Sequence, residues 1–317
     1  MNKEAIPLAI RRHNLVATVR STLGDTDAVV GVSGGADSIA LLLLCCSAAM
    51  QESAQFKIVA AHINHGLRPE ADKEQQLVEQ LCAQIGIHCV VKHVQVIPIN
   101  SSIAAGARKV RYKALEEVAS DADINTVAVA HHAEDQLETM LMALCRGGGL
   151  RKLSGMASVR PLTSQIALYR PLLHVEKREL ISICELAKVS WCEDPSNKNP
   201  STPRGRLRND VIPIIRELWP AADKHASNAS TILHAAADSF ESSVALGTEW
   251  ERTELTELPS PVISATLQKA VGDCATFEII QSITSAVEDT STHPRTFQLS
   301  KACRVEVTAH SVSVIHS

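Results

Sequence analysis

The stretch "VVGVSGGADSIALLLL", from Val29 to Leu44, decides the fold. Its two apolar runs predict a buried strand that passes through a glycine turn into a helix. Gly34 and Gly35 let backbone N–H groups point inward, and the start of the helix adds partial positive charge, so such a turn favours an anion. The turn nevertheless contains a carboxylate, Asp37, and no lysine. An ordinary tight turn, with Asp37 or Ser38 as the helix cap, is the alternative.

Strand-like and helical segments alternate through the first half of the chain. This alternation predicts an α/β fold with a doubly wound parallel sheet, in which ligands bind at the carboxyl ends of the strands. The predicted strands are residues 27–32, 56–64, 87–96 and 124–130, and the predicted helices are residues 38–50, 69–86, 104–120 and 134–149.

The chain after residue 150 is less regular. One helix is predicted within residues 170–191, and a polar, arginine-rich loop follows at residues 192–210. From about residue 217 the sequence is Ala-rich and helical, and its end alternates like short strands. We therefore predict two domains, 1–216 and 217–317, of which the second is smaller, mainly helical and ends in short strands.

Composition narrows the class of protein. A hydrophobic content of 45% and a charged content of 21% are those of a soluble globular chain. The formal net charge of -4 counts against a nucleic-acid partner unless basic residues cluster. The nine cysteines include no C-x-x-C pair and lie mostly in apolar runs, which favours free thiols in a reducing compartment. Without a signal-like start or an apolar run of membrane length, we expect a cytoplasmic protein and no membrane partner.

Polar motifs lie at the predicted strand ends and in the helices between them. Asp135 and Glu138 are three residues apart and can share one helix face, as can Arg108 and Arg111. Each motif alone also has an ordinary interpretation: a polar strand exit, surface charges, or a solvated acidic first turn. The motifs are "HINHGLR" at 62–68, "ARKVRY" at 107–112 and "HHAEDQLETMLMALCRGGGLRKLSGM" at 131–156.

The glycine turn matches neither the Walker A pattern nor G-x-G-x-x-G. It matches SGGxDS, the signature of the PP-loop ATP pyrophosphatases, at Ser33–Ser38. Together with the other motifs, and with Asp194–Asn197 and Arg204–Arg208, it closely resembles the tRNA(Ile)-lysidine synthetase family. The resemblance covers roughly residues 27 to 215, and the last hundred residues resemble the family's smaller helical domain only loosely.

This chain departs from the family pattern in four ways. Glu134 stands where Asp is frequent, Gly205 replaces the usual Asn, and Ala104 stands where a Glu often precedes the arginine motif. We expect no large extra C-terminal domain, unlike in the longer members. The resemblance therefore does not imply how the acceptor stem of the tRNA is held.

The resemblance implies a two-step ligation that uses ATP and Mg²⁺. ATP adenylates the C2 carbonyl oxygen of the wobble cytidine in a tRNA(Ile) with a CAU anticodon, and pyrophosphate leaves. The ε-amine of free L-lysine then displaces AMP from C2 to form lysidine, and the anticodon reads AUA. The partners implied are this tRNA and free lysine; the oligomeric state is open, with a homodimer as one option.

The resemblance also implies roles for individual residues. Arg204 and Arg208 either belong to the catalytic site or contact tRNA phosphates. His131 contacts either the nucleotide or the lysine. Asp37 would meet Mg²⁺ through the phosphates. The implied residues are Ser33, Gly34, Gly35, Ala36, Asp37, Ser38, Ala61 and His62 for ATP; His131, Asp135 and Glu138 for lysine; Asp37, Arg111, Asp135, Arg204 and Arg208 for catalysis; and Arg146, Arg151, Lys152 and Arg206 for tRNA.

Three other functions compete with this one. A tRNA thiolase of the same fold commonly has C-x-x-C pairs or a sulfur-relay cysteine, and this sequence has no such pair. A GMP or asparagine type of synthetase needs an ammonia source, and no glutaminase-like segment precedes Val29. The third is a non-catalytic tRNA- or nucleotide-binding module, against which the full set of acidic and basic residues argues. We expect the arginines after residue 146 and after residue 204 to form a basic face on an otherwise acidic protein.

Overall fold

The computed structural model describes residues 1–51, 56–66, 71–99, 103–192, 202–291, 293–300 and 303–316. These residues divide into two compact units, Met1–Leu233 and His234–Ser317. Arg68 and the predicted motif Asp194–Asn197 lie outside the described residues. In the part of the chain that the structure describes, no helix combines the length and the apolar character that crossing a membrane requires.

The first unit contains a six-stranded sheet in the order β3-β2-β1-β4-β6-β5. The first five of these strands run parallel, and β5 pairs antiparallel with β6. The predicted doubly wound parallel sheet is confirmed, with an antiparallel strand added at one edge. The strands are β1 Ala28–Gly31, β2 Ile58–Asn64, β3 His88–His93, β4 Thr126–Ala128, β5 Val159–Pro161 and β6 Ala167–Tyr169.

Helices cover both faces of this sheet, which explains the apolar character of β1. Val30 packs into one buried cluster and Val29 into another, because successive strand residues point to opposite faces. The helix that follows β1 is buried almost all round, as its sequence "LLLLCC" predicts. The helices are α1 Leu8–Arg11, α2 Asn14–Leu23, α3 Ala36–Ala49, α4 Ala71–Ile85, α5 Ile103–Asp121, α6 Ala133–Cys145, α7 Leu150–Leu153, α8 Lys177–Ala187, α9 Pro203–Arg206, α10 Ile212–Leu218 and α11 Ala222–Ser242.

The strand order creates a switch point between β1 and β4. From β1 the chain proceeds to β2 and β3 on one side, and then returns to β4 and β6 on the other. Connections from two neighbouring strands therefore diverge at their carboxyl ends and leave a crevice. The glycine turn after β1 and the loop after β4 both lie at this crevice, which positions the site described below.

The predicted loop at residues 192–210 is wrong for its described second half, which is helical. Thr202 accepts a hydrogen bond from the backbone N–H of Gly205 at 3.0 Å, and Pro203 stands at the first helical position. A π-helical stretch, Leu207–Val211, then leads into α10. The helix start was not predicted because Thr202 is its only sequence signal apart from Pro203, and the many arginines around it are typical of a polar loop.

The second unit is helical with an antiparallel sheet in the order β7-β10-β9-β8, as predicted for the end of the chain. Its core includes Ile263, Ile283, Val305 and Val312, all fully buried. The elements are α12 Arg252–Thr256, α13 Ser260–Val271, α14 Phe277–Glu288, β7 Glu249–Glu251, β8 Arg295–Ser300, β9 Cys303–Val307 and β10 Ser311–His316.

The division between the units falls at His234, inside α11, and not at residue 217 as predicted. The reason is a small apolar cluster within the first unit. Ile212 of α10 and Ala222 of α11 pack with Leu137 of α6, so this stretch belongs to the first unit. The change in composition near residue 217 is therefore not a domain boundary.

Candidate active site

The glycine turn after β1 is held by serine hydroxyls. Ser38 Oγ donates to the carbonyl of Gly35 at 2.9 Å and accepts from the backbone N–H of Ser33 at 3.1 Å. Gly35 is the N-cap of α3, and no side chain among the described residues caps the helix. The alternative in which Asp37 or Ser38 caps α3 is therefore wrong. The first-turn N–H groups, which begin at Ala36, are left to bind an anion.

Gly34 is the strained position of this turn. Its φ is +89°, in the left-handed region, and a Cβ there would lie 3.4 Å from Cβ of Glu74. We expect Gly34→Ala to lower the free energy of unfolding by about 1–2 kcal/mol, because a side chain disfavours this backbone conformation, and to weaken ATP binding. Gly35→Ala is the matched control, since its backbone is in the β region and its Cβ would meet only atoms at 3.6 Å or beyond. Urea unfolding of both variants tests this, and equal stability would contradict it.

His132 joins the glycine turn to α6. Its Nε2 lies 3.4 Å from Oδ2 of Asp37 and 3.7 Å from Oδ2 of Asp135. The backbone N–H of His132 also donates to Oδ2 of Asp135 at 3.1 Å. Burial lowers the pKa of His132, but Asp135 and Asp37 outweigh it and raise the pKa above its ordinary value of 6.5. The imidazole is thus poised to carry positive charge between two carboxylates.

Three buried polar atoms at the carboxyl edge of the sheet have no hydrogen-bond partner within the described residues. They are Oδ1 of Asp37, Nδ1 of His132 and Nε2 of His62. A buried polar atom without a partner costs about 1–3 kcal/mol, so native proteins keep few of them. Their concentration here is typical of a site that binds a polar ligand.

A buried pair of carboxylates on α6 meets two arginines. Glu138 is 1% exposed, and Arg204 Nε donates to its Oε2 at 2.7 Å. Arg208 donates to both oxygens of Glu138, and its Nη2 reaches Oε2 at 2.9 Å. Both arginines also reach Oδ1 of Asp135, from 3.1 and 3.4 Å. The structure therefore brings together four of the predicted site residues, and places Arg204 and Arg208 inside the site.

Asp135 is strongly acidic in the folded state. Burial raises its pKa, but His132, His131 and Arg204 lower it to about 2 from an ordinary value of 3.8. Ionised Asp135 therefore stabilises the folded state. This stabilisation is complete above the ordinary pKa of 3.8 and is lost as the pH falls through the folded-state pKa of about 2. We expect Asp135→Asn to lower the free energy of unfolding by about 2 kcal/mol at pH 7, and by less at lower pH.

Urea unfolding at pH 7 and at pH 3 checks this expectation. Asp25, an exposed partner of Arg20, provides the control substitution Asp25→Asn. A loss of stability in Asp135→Asn that stayed constant over this pH range would contradict the acidity assigned to Asp135.

His131 is held in one neutral form. Arg170, only 3% exposed, donates from Nε to Nδ1 of His131 at 3.3 Å. Burial and the nearby arginines lower the pKa of His131 to about 3, although Asp135 opposes them. A neutral imidazole that accepts at Nδ1 has its proton on Nε2. His131 therefore presents an N–H donor at Nε2, which suits an oxygen of a nucleotide or of a lysine carboxylate.

The structure places the remaining predicted residues on β2, on α5 and at exposed positions. Ala61 and His62 are both buried in β2, where Nδ1 of His62 is 2.9 Å from the carbonyl of Val32. Arg111 lies over the ring of Tyr112, with 5.6 Å between its Cζ and the ring centroid. The predicted tRNA-contacting residues are all exposed: Arg146, Arg151, Lys152 and Arg206.

Most of the arginines after residue 204, which were expected to form part of a basic face, are paired with carboxylates in the structure. Arg204 and Arg208 turn to the carboxylates, and Arg216 pairs with Glu134 at 3.1 Å and with Asp223 at 2.7 Å. Arg206 is exposed beside Asp210. Charges that are neutralised in this way contribute little to a field felt by a distant polyanion.

Sequence reasoning missed His132 and Arg170 as members of the site. His132 stands beside the predicted His131, and the spacing of His132 and Asp135 at a helix start is a signal that could have identified it. Arg170 follows directly after β6, but three-residue strands give no clear periodicity, so its place at a strand end could not be read.

Comparison with known proteins identifies the fold family of this site. The sequence matches the PP-loop domain family over residues 9–215. The chain belongs to the PP-loop family. Membership implies that this PP-loop protein uses ATP, in agreement with the glycine turn at the start of α3.

Curated relatives of this PP-loop protein have the name tRNA(Ile)-lysidine synthase. The relative from Bacillus cereus is 38% identical over 218 residues, which is 67% of this chain and 44% of the relative. The relative from Rhodopirellula baltica is 34% identical over 249 residues, which is 70% of this chain and 62% of the relative. The one from Actinobacillus pleuropneumoniae serotype 3 is 38% identical over 191 residues, or 60% of this chain and 43% of the relative. The chain thus spans about half the length of such relatives.

A solved structure has a similar fold. The U34-tRNA thiolase of Methanococcus maripaludis superimposes with a TM-score of 0.57 and 18% identity, over 69% of this chain and 78% of the thiolase. At this level of identity the similarity concerns the fold alone.

Proposed function

We propose that this PP-loop protein ligates free L-lysine to C2 of the wobble cytidine in a tRNA(Ile) with a CAU anticodon. The reaction consumes ATP and releases AMP and pyrophosphate. The names of the curated relatives support this substrate set, and the PP-loop domain match over residues 9–215 contains the motifs of the candidate site.

The observation that carries the proposal is the buried carboxylate pair beside the glycine turn. Glu138 is almost fully buried, and Asp135 is connected to Asp37 through His132. An ATP site needs anion-binding groups, so two carboxylates next to it call for a cationic second substrate. The ammonium group of lysine has the charge and the donors to share them with Arg204 and Arg208.

In the first step, the C2 carbonyl oxygen of the cytidine attacks the α-phosphorus of ATP. The bond from that phosphorus to the bridging oxygen breaks, and pyrophosphate leaves with the electron pair. The first turn of α3, which begins at Ala36, supplies backbone N–H donors for the departing charge, and the hydrogen bonds of Ser33 and Ser38 hold the turn in place. Arg111 is assigned to the charged transition state.

Asp37 fits a magnesium site. Oxygen ligands suit this ion, and Oδ1 of Asp37 is buried without a partner among the described residues. Asp37 would hold the ion together with the phosphates of ATP. When bound, Mg²⁺ would neutralise charge that builds up on the departing pyrophosphate.

In the second step, the ε-ammonium of lysine loses a proton to solvent and the resulting amine attacks C2. The C2–O bond breaks, AMP leaves with the oxygen and the electron pair, and the nitrogen releases a second proton to solvent. With a pKa of about 2, Asp135 is too weak a base to accept the ammonium proton near neutral pH, and it is assigned to hold the ammonium. Arg204 and Arg208 already satisfy Asp135 and Glu138. Lysine must therefore share the carboxylates with the arginines or displace at least one of them.

Exposed cations around α7 are assigned to the tRNA. Arg151 and Lys152 lie on this short helix, and Arg146 ends the preceding one. Their exposure lets them reach phosphates without breaking the acid and arginine pairs of the site. Arg206 is assigned the same role.

AMP release tests the proposed function. The purified chain is incubated with ATP and Mg²⁺, with lysine and the CAU tRNA each present or omitted. We expect sustained AMP release only when both are present. Turnover without lysine, or turnover supported by sulfide in place of lysine, would contradict the proposal, and the second result would point to the thiolase reaction.

A further inference from the structure

Four arginines converge on one tyrosine next to the candidate active site. The Cζ atoms of Arg108, Arg111 and Arg160 lie 5.1, 5.6 and 5.0 Å from the centroid of the Tyr112 ring. Burial raises the pKa of Tyr112, but these three arginines and Arg170 lower it below its ordinary value of 10.0. The positive potential at the ring is therefore strong, and it comes from elements far apart in the sequence.

These arginines differ from those at Glu138 in having no acidic partner. Within the described ranges, none of the four forms an ion pair with a carboxylate. Like charges this close repel each other, and one aromatic ring offsets only part of the repulsion, at about 0.5–2 kcal/mol for each cation. Such a cluster is stable when an anion binds to it.

The cluster is partly preorganised and partly accessible. Arg170 is buried and fixed by hydrogen bonds to His131 and to the carbonyl of Ala157, at 3.3 and 2.6 Å. Arg108 is exposed and Arg160 is half-buried, so both guanidinium groups can reach a large ligand. A fixed buried cation with accessible cations around it suits a phosphate group that arrives from solvent.

Arg160 and Arg170 lie away from the glycine turn that is assigned to the ATP phosphates. The glycine turn follows β1, whereas Arg170 follows β6 and Arg160 lies in β5. Neighbouring strands are about 4.8 Å apart, so these two arginines lie two or three strand spacings from β1, on the side opposite β2. The predicted adenine contacts lie on the β2 side, so ATP extends away from Arg160 and Arg170, whereas Arg111 of the same cluster is the arginine assigned to the reacting phosphate.

The same cluster is connected to the reacting centre. Arg170 contacts His131, and the adjacent His132 contacts Asp37 and Asp135. An anion held at Tyr112 is thus next to the position at which the cytidine must react. We propose that Arg108, Arg160 and Arg170 form, around Tyr112, a binding site for a backbone phosphate of the RNA close to the reacting nucleotide. This inference rests on the proposed function, since it assigns part of the RNA contact.

RNA binding by charge-neutral variants tests the site. The double variant Arg108→Gln with Arg160→Gln leaves Arg111 in place. We expect it to bind a CAU anticodon stem-loop about tenfold more weakly, and the slope of log affinity against log salt to fall by about 1. The affinity for ATP should stay within about twofold of the wild type, since ATP lies at β1 and β2.

Lys57→Gln is the matched control. Lys57 is exposed and immediately precedes β2. Its substitution therefore removes one positive charge at the amino ends of the parallel strands, opposite the carboxyl ends where the site lies. If the double variant does not fold, the exposed Arg108→Gln alone should still lower the RNA affinity about threefold.

Several outcomes would overturn the assignment. For the double variant, these are an unchanged RNA affinity and salt slope, or a loss of ATP affinity that occurs alone or equals the loss of RNA affinity. An equal loss of RNA affinity in Lys57→Gln would also overturn it, as would failure of the wild type to bind the stem-loop. Lysine-dependent AMP release is measured on the same wild-type preparation. If the wild type shows lysine-dependent AMP release and the variants bind RNA normally, this phosphate site is refuted and the proposed function is not.

Discussion

Asp37→Asn is expected to slow adenylation by about 10²–10³-fold, the size of effect seen when one group that stabilises developing charge is removed. The amide keeps the shape of the side chain but lacks the negative charge that attracts Mg²⁺. ATP–pyrophosphate exchange in the presence of the CAU tRNA measures this step without lysine. The dependence on Mg²⁺ should move to higher concentrations in the same variant.

Folding should be almost unaffected by this change. Oδ1 of Asp37 has no hydrogen-bond partner among the described residues, and Oδ2 makes one long contact, 3.4 Å, with His132. We expect the free energy of unfolding to change by less than about 1 kcal/mol. Asp25→Asn is the control for a carboxylate outside the site. Full exchange activity in Asp37→Asn at low Mg²⁺ would show that Asp37 has no role at the phosphates.

Glu138→Gln is expected to abolish lysine use, with at least about a 100-fold loss of lysine-dependent AMP release. The substitution removes the negative charge that both Arg204 and Arg208 contact and that we assign to the ammonium of lysine. A carboxamide cannot accept from two guanidinium groups through both of its oxygen positions, since one of them becomes a donor. Adenylation, which precedes lysine attack, should fall much less.

The comparison of two assays makes this prediction specific. ATP–pyrophosphate exchange reports the first step, and transfer of lysine to preformed adenylated tRNA reports the second. Glu134→Gln is the matched control, because Glu134 is on the same helix and pairs with Arg216 outside the carboxylate pair. Equal losses of both steps in Glu138→Gln would mean that Glu138 supports the whole site and does not bind lysine.

The sequence alone predicted the layout of the sheet because its strands are strongly marked. β1 and β2 are apolar on both faces, and the helices after them begin and end at recognisable residues. β5 and β6 escaped prediction since three residues cannot establish a period of two. The helical start at Pro203 escaped because arginines on a short helix look like those in a loop.

Part of the membership of the candidate site was predictable, and its internal pairing was not. Asp135 and Glu138 share a helix face by spacing alone. Arg204 and Arg208 reach Glu138 across 66 and 70 residues of sequence, and no local pattern shows that partnership. The arginine cluster at Tyr112 could not be predicted either, because Arg160 lies in β5, a strand that the sequence did not reveal.

The most direct test is the transfer of labelled lysine to RNA. The chain is incubated with ATP, Mg²⁺, isotopically labelled L-lysine and a tRNA(Ile) transcript with a CAU anticodon, and the RNA is digested to nucleosides for mass spectrometry. We expect label on the wobble cytidine as a lysine adduct that has lost the C2 oxygen, and none on a transcript with a GAU anticodon. AMP release from the CAU transcript with no lysine on the RNA would contradict it.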